Sequence, residues 1–186
     1  MKPAVFLDRD GVLNRSDVFN GRPYAPINID RFEILPGAAA AVMALKQCGF
    51  IVIVVTNQPD VSTGAQTLEN VEKMHRKLRE QVDIDDIKVC YCTDADQCHR
   101  RKPAPGMLEE AATQYGIFLP YSFMVGDRWR DIEAGQAAQC TTIFIDNGYE
   151  EKPPNVCDYR TYSLTDAVNF IIKVGGQRRG DDIRVE

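Results

Sequence analysis

The chain has 186 residues, 44% hydrophobic and 26% charged, and a formal charge of −5 from 22 basic and 27 acidic residues. Those values exclude an intrinsically disordered chain and argue against broad electrostatic binding of nucleic acid or anionic membrane. The length suits a single domain with enough interior for a core without staples. Six cysteines in a chain of this size read as thiols or metal ligands, not as a disulfide scaffold. Met1-Lys2-Pro3 leads into only four apolar residues before Asp8, too few for a secretory h-region. The longest apolar run, Phe50 to Val55, is far short of a membrane span. The expected compartment is the cytoplasm, and a monomer is the default.

In chain order, Ala4 to Leu7 is a short strand that ends in Asp8-Arg9-Asp10-Gly11. Residues 15–36 read as a loop. Ala38, Ala41, Val42, Leu45 and Cys48 share a helix face that Gly49 ends. Ile51 to Val55 is a continuous β-branched run, as in a strand buried on both faces, and leads to Thr56-Asn57-Gln58. Val71, Met74 and Leu78 stripe a helix over 67–80, with His75 on its polar, solvent side. Ile87 to Cys90 is a weaker strand, and 93–105 is a loop containing Arg101-Lys102-Pro103. Met107, Leu108, Ala111, Ala112 and Tyr115 stripe a helix closed by Gly116. Ser122 to Val125 is a strand leading to Gly126-Asp127 and a further helix. Thr141 to Ile145 is a fifth strand. Leu164, Ala167, Val168, Ile171 and Ile172 make a last helix, with Ser163 and Asp166 as its N-terminal cap. Residues 1–174 form the domain, and 175–186 read as a solvated, flexible tail.

Alternating strands and helices predict an α/β fold with a mostly parallel central sheet. Ligands of such sheets bind beyond the carboxyl ends of the strands. There the chain gathers Asp8, Asp10, Thr56, Lys102, Asp127 and Asp131. Three carboxylates, Asp8, Asp10 and Asp127, in one place need a cation, and an all-oxygen set suits Mg²⁺. With the Lys102 charge and the Thr56 hydroxyl, this is equipment for phosphoryl transfer. A carboxylate nucleophile would form an aspartyl-phosphate, and a second carboxylate would serve as acid and base.

The run Asp8-Arg9-Asp10-Gly11-Val12-Leu13 resembles the first motif of haloacid dehalogenase (HAD) superfamily phosphatases. Thr56, Lys102 and Gly126-Asp127 with Asp131 resemble the other three, in order, over residues 4–148. Leu35-Pro36-Gly37, Thr56-Asn57-Gln58-Pro59 and Arg101-Lys102-Pro103-Ala104-Pro105-Gly106-Met107 are similar to a subgroup, the D-glycero-D-manno-heptose-1,7-bisphosphate 7-phosphatases and histidinol-phosphate phosphatases. The resemblance implies a three-layer Rossmann-like HAD fold with minimal or no cap, and an Mg²⁺-dependent phosphomonoesterase for a small phosphorylated sugar. Heptose bisphosphate is the preferred substrate and histidinol phosphate the alternative; a non-catalytic phospho-ligand-binding relative is more distant. It implies Asp8 as nucleophile and Asp10 as general acid/base. Thr56 and Lys102 would bind the phosphoryl group. Asp8, the Asp10 carbonyl and Asp127 would hold Mg²⁺, and Asn57, Gln58, Arg101 and Arg128 would contact substrate. Relatives carry a structural zinc in the cysteine loop. Here Cys90, Cys92 and Cys98 match three ligand positions. Arg100 stands at the fourth and cannot ligate, which leaves the adjacent His99 as the candidate.

Overall fold

The period-2 pattern of the central strands shows how the chain layers itself. Val5, Leu7, Val52, Val54, Phe123 and Val125 enter one core, and Ala4, Phe6, Ile53, Val55 and Met124 enter another on the opposite sheet face. Strands buried on both faces need helices on both, which a doubly wound parallel sheet supplies. The computed structural model describes residues 2–182, with side chains through Gln177.

The elements are β1 (Ala4–Leu7), β2 (Asp17–Phe19), β3 (Arg22–Tyr24), α1 (Ala38–Gln47), β4 (Ile51–Asn57), α2 (Asp60–Thr63), α3 (Leu68–Gln81), β5 (Asp86–Cys90), α4 (Gly106–Tyr115), β6 (Phe123–Gly126), α5 (Trp129–Ala137), β7 (Thr141–Ile145), β8 (Tyr159–Thr161) and α6 (Leu164–Asp182). The main sheet runs β5-β4-β1-β6-β7-β8, and every neighbouring pair in it is parallel. Helices α1, α3 and α6 cover one face through Leu45, Met74, Leu78 and Ile171. Helices α4 and α5 cover the other through Met107, Leu108, Ala111 and Ala134. After β1 the chain winds to one side through β4 and β5, then returns to the other side through β6. The strand order therefore reverses at β1, where an open sheet leaves a crevice.

Residues 15–36 are not plain loop: β2 and β3 form an antiparallel hairpin there. That hairpin and a short 3-10 turn over Ile29–Arg31 lie between β1 and α1, and among the described residues no separate cap domain stands over the sheet. The predicted cap of α6 holds: Ser163 Oγ accepts from Asp166 N at 3.1 Å. At the start of α3, Thr67 Oγ1 accepts from Asn70 N. The expected tail is corrected over part of its length. Helix α6 continues through Gly175 to Asp182, because Gly175 rides on the Phe50 ring, where even a Cβ would lie 2.6 Å from Cζ. Positions 183–186 of that tail lie outside the described residues. His75 is also corrected: it is buried, not solvent-facing, and burial beside Arg9 pushes its pKa down to about 3, so the ring is neutral.

Candidate active site

The predicted motifs lie at or beyond the carboxyl ends of β1, β4, β5 and β6, so the sheet itself brings them together. Asp8 continues β1, donating its N–H to Val125 O at 2.9 Å. Thr56 is the penultimate residue of β4, and Asp127 follows β6. Lys102 comes from the loop after β5. Its Nζ reaches Asp8 Oδ1 at 2.9 Å, Asp131 Oδ1 at 2.6 Å and Val55 O at 2.7 Å. Asp8, Asp127 and Asp131 are all buried, and one carboxylate oxygen from each lies within 4.8 Å of the others.

Two glycines make this closeness possible. Gly11 has φ +82°, and a Cβ there would lie 1.8 Å from Asp127 Oδ2; a Cβ on Gly126 would lie 2.1 Å from Asp131 Cβ. Any larger residue would push a carboxylate out of the cluster.

The electrostatics follow from crowding like charges out of water. Burial and then the Asp131 carboxylate raise Asp8 to about 7, against the pull of Lys102. Burial, with Asp8 and Asp131 next, pushes Asp127 well above the usual carboxylate range. Asp127 Oδ2 accepts from Tyr149 OH at 2.9 Å and Asn147 Nδ2 at 3.2 Å, whereas its buried Oδ1 has no partner. Three oxygen donors with one orphaned lone-pair set fit a small hard cation. Asp10 behaves oppositely. Burial opposes its charge, but Arg9 grips both its oxygens at 2.9–3.1 Å, and Asn14 and Gln58 donate at 2.9 and 2.8 Å. Asp10 is therefore held below its ordinary value as an anion.

A cleft of about 290 Å³ opens above this floor, lined by Asp8, Asp10, Thr56, Asn57, Lys102, Asp131, Arg128, Arg130 and the hairpin residues Arg22 to Ala25. Of the expected substrate contacts, Arg128 reaches its wall but is bound by Glu151 at 2.7 and 2.8 Å. Asn57 also lines it, yet its amide clamps the Lys102 backbone, donating to O at 3.0 Å and accepting from N at 3.2 Å. Gln58 and Arg101 are not on the wall. Gln58 is buried between Asp10 and Thr56, and Arg101 braces the loop through Asp94 Oδ1 and Cys92 O, both at 2.8 Å. Both act on neighbouring protein groups.

The cysteine loop is gathered but incomplete. Cys90, Cys92 and Cys98 bring their sulfurs within 4.8 Å of one another, with Cys90 and Cys98 at 3.8 Å. Thiolates on tetrahedral zinc, with bonds of about 2.3 Å, stand about 3.8 Å apart. His99 is corrected as a ligand: it is outside the cluster, its Nε2 2.7 Å from Glu109. Arg100 turns to Glu110 at 3.1 Å. The residues present fit three corners of a zinc site.

Three groups escaped sequence reasoning. Arg9 and Asn14 fix Asp10, Tyr149 and Asn147 fix Asp127, and Arg22 reaches the cleft from the hairpin. The exit of the fifth strand, Asp146 to Tyr149, obeys the same rim rule as the other four and would have pointed to the second group.

A doubly wound sheet with two aspartates after its first strand, a lysine-carboxylate cluster and no separate cap defines an HAD-type hydrolase. In agreement, residues 99–163 match the HAD-hydrolase-like family model. Over 149 residues the chain is 35% identical to the D-glycero-beta-D-manno-heptose-1,7-bisphosphate 7-phosphatase of Rhodopseudomonas palustris, covering 74% of this chain and 79% of the relative. The corresponding Escherichia coli K12 enzyme is 35% identical over 187 residues, covering 92% of this chain and 94% of the relative. A crystal structure of D,D-heptose 1,7-bisphosphate phosphatase from B. bronchiseptica, complexed with magnesium and phosphate, matches with a TM-score of 0.77 at 28% identity, covering 93% of this chain and 99% of that one. The chain belongs to the haloacid dehalogenase superfamily, in the family of these heptose-bisphosphate phosphatases, and is a phosphoric monoester hydrolase.

Proposed function

We propose that this chain removes the 7-phosphate of D-glycero-D-manno-heptose 1,7-bisphosphate, with the β anomer preferred, as a cytoplasmic monomer supplying heptose for cell-surface polysaccharide. The observation that carries the chemistry is the buried contact of Asp8 Oδ1 with Lys102 Nζ at 2.9 Å, at the base of the cleft. The substrate follows from the names of the relatives.

Asp8, Asp127 and the Asp10 carbonyl would hold Mg²⁺, which supplies charge neutralisation and keeps Asp8 ionised. Asp8 attacks phosphorus, forming the aspartyl-phosphate as the alcohol leaves. Lys102 and the Thr56 hydroxyl bind the phosphoryl oxygens, and Asn57 keeps Lys102 in place by gripping its backbone. As the phosphate dianion arrives it raises the proton affinity of Asp10, which takes up a proton from solvent and passes it to the leaving alkoxide. Arg9 and Gln58 then favour the Asp10 carboxylate as base for the water that cleaves the intermediate. A structural zinc held by Cys90, Cys92 and Cys98 would brace the loop that carries Lys102.

Phosphate release with Mg²⁺ from the two heptose 1,7-bisphosphate anomers and from histidinol phosphate tests this reading. A large kcat/KM preference for a heptose anomer is expected. Preference for histidinol phosphate would overturn the substrate and leave the chemistry standing.

A further inference from the structure

The floor of the cleft handles one phosphoryl group, and its cation is fully engaged there: Lys102 Nζ already has Asp8, Asp131 and Val55 O as partners. Three arginines line the walls, Arg22, Arg128 and Arg130. Two of them are neutralised. Glu151 takes both prongs of Arg128, and Asp94 takes Arg130 at 2.7 and 3.1 Å. Arg22 differs. Among the described residues it has no ion pair and no side-chain hydrogen bond. A guanidinium left without a counter-charge beside an anion-binding floor is a receptor waiting for an anion.

Its platform is fixed. The hairpin register pairs Phe19 with Arg22 and Asp17 with Tyr24. Pro23 is buried, while Arg22 and Tyr24 alternate with it as exposed residues, and all three line the cleft. The hairpin tip is pinned, because Gly21 O accepts from Glu150 N at 2.8 Å, and a Cβ on Gly21 would lie 2.6 Å from Glu150 Cγ. Its base is held by Arg31 on Asp17 at 2.8 Å. A cation on a pre-set strand gives up less freedom on binding than one on a mobile loop.

We infer that Arg22 receives a second anionic group of the substrate, the one that is not cleaved, while the floor takes the phosphate that is. The inference rests on the reading of the floor as a phosphomonoesterase centre. It makes the preferred class a small sugar with two phosphates spanning the cleft. A phosphate ester whose far end is cationic is disfavoured, because that end meets an unpaired guanidinium.

The test compares matched pairs in the Mg²⁺-loaded wild type and in Arg22→Gln: heptose 1,7-bisphosphate against heptose 7-phosphate, and fructose 1,6-bisphosphate against fructose 6-phosphate. The wild type should favour the bisphosphate of each pair. Arg22→Gln should lower bisphosphate kcat/KM by about 10- to 100-fold, chiefly through KM, so that the bisphosphate-to-monophosphate ratio collapses. Arg22→Lys should recover part of the ratio, a point charge lacking the planar fork. A ratio unchanged in Arg22→Gln would overturn the inference. Binding of fructose 1,6-bisphosphate to the Asp8→Asn protein, with and without Arg22→Gln, separates this inference from the reading of the floor. Weaker binding in the double variant supports Arg22 even where neither pair is turned over, and equal binding refutes it.

Discussion

The cleft floor and the cysteine loop meet at Arg101-Lys102, yet they are built differently. The floor is assembled from the exits of β1, β4 and β6, strands central to the sheet, and its groups are tied to partners far away in sequence. Lys102 binds Asp8 and Asp131, and Tyr149 binds Asp127. The loop leaves β5, an edge strand. It collects three sulfurs and, among the described residues, lacks a fourth protein ligand, His99 and Arg100 having turned to Glu109 and Glu110. Other bracing holds it: the Thr93–Asp96 capping box, and Asp94 between Arg101 and Arg130. A site made by the sheet ties each of its members to several strands. A site on an edge loop can lose one and be braced again by surface ion pairs.

This contrast predicts effects that diminish from floor to loop. Asp8→Asn should lower kcat by at least about 10³-fold. Because it removes one of three crowded carboxylates, thermal melting should show the fold intact. Lys102→Met should lower kcat/KM and destabilise by about 3–5 kcal/mol in denaturant titration at neutral pH, since Asp8 and Asp131 lose their buried counter-charge.

The pH dependence has a definite sign. Asp8, raised to about 7, and Asp127, raised well above the usual carboxylate range, bind protons more tightly folded than unfolded. Without a cation the protein therefore loses stability as pH rises from the ordinary aspartate range through about 7. Mg²⁺ replaces those protons, so it should raise Tm more at about pH 8 than at about pH 5. Equal shifts at both pH values would contradict the carboxylate cluster as its site.

Tyr149→Phe removes the hydroxyl that orients Asp127 and should raise the Mg²⁺ concentration for half-activation by roughly 10-fold, with substrate KM nearly unchanged. Smallest is the loop. Cys98→Ser should abolish zinc retention, measured by metal analysis of the purified protein, and lower Tm while altering kcat only a few-fold. A severe loss of kcat would show that the loop does more than brace Lys102.

The same contrast governs what could be read from the sequence. The runs Ala4 to Leu7 and Ile51 to Val55 announce strands because both their faces are buried, and everything placed directly after such a strand was legible: Asp8, Thr56, Asp127. Lys102 was legible from its motif. The direction of a side chain beyond the strand end was not. Gln58 and Arg101 bear the right chemistry, but turn to Asp10 and to the loop. The hairpin escaped because Asp17–Phe19 and Arg22–Tyr24 are three residues each and mostly exposed, with a proline in the second. β8 is equally short. The glycine pair Gly175-Gly176 reads as a helix stop, but contact with Phe50 carries α6 past it. The Tyr149–Asp127 pair spans distant parts of the chain, and no local pattern encodes it.

The central claim is that Asp8 carries the phosphoryl group. Acid-quenching the enzyme during turnover, digesting it and weighing the peptide containing Asp8 tests this directly. The account predicts a mass gain of one phosphoryl group on Asp8, prolonged in Asp10→Asn and lost in Asp8→Asn. A phosphoryl group on another residue, or wild-type turnover by folded Asp8→Asn protein, would contradict it.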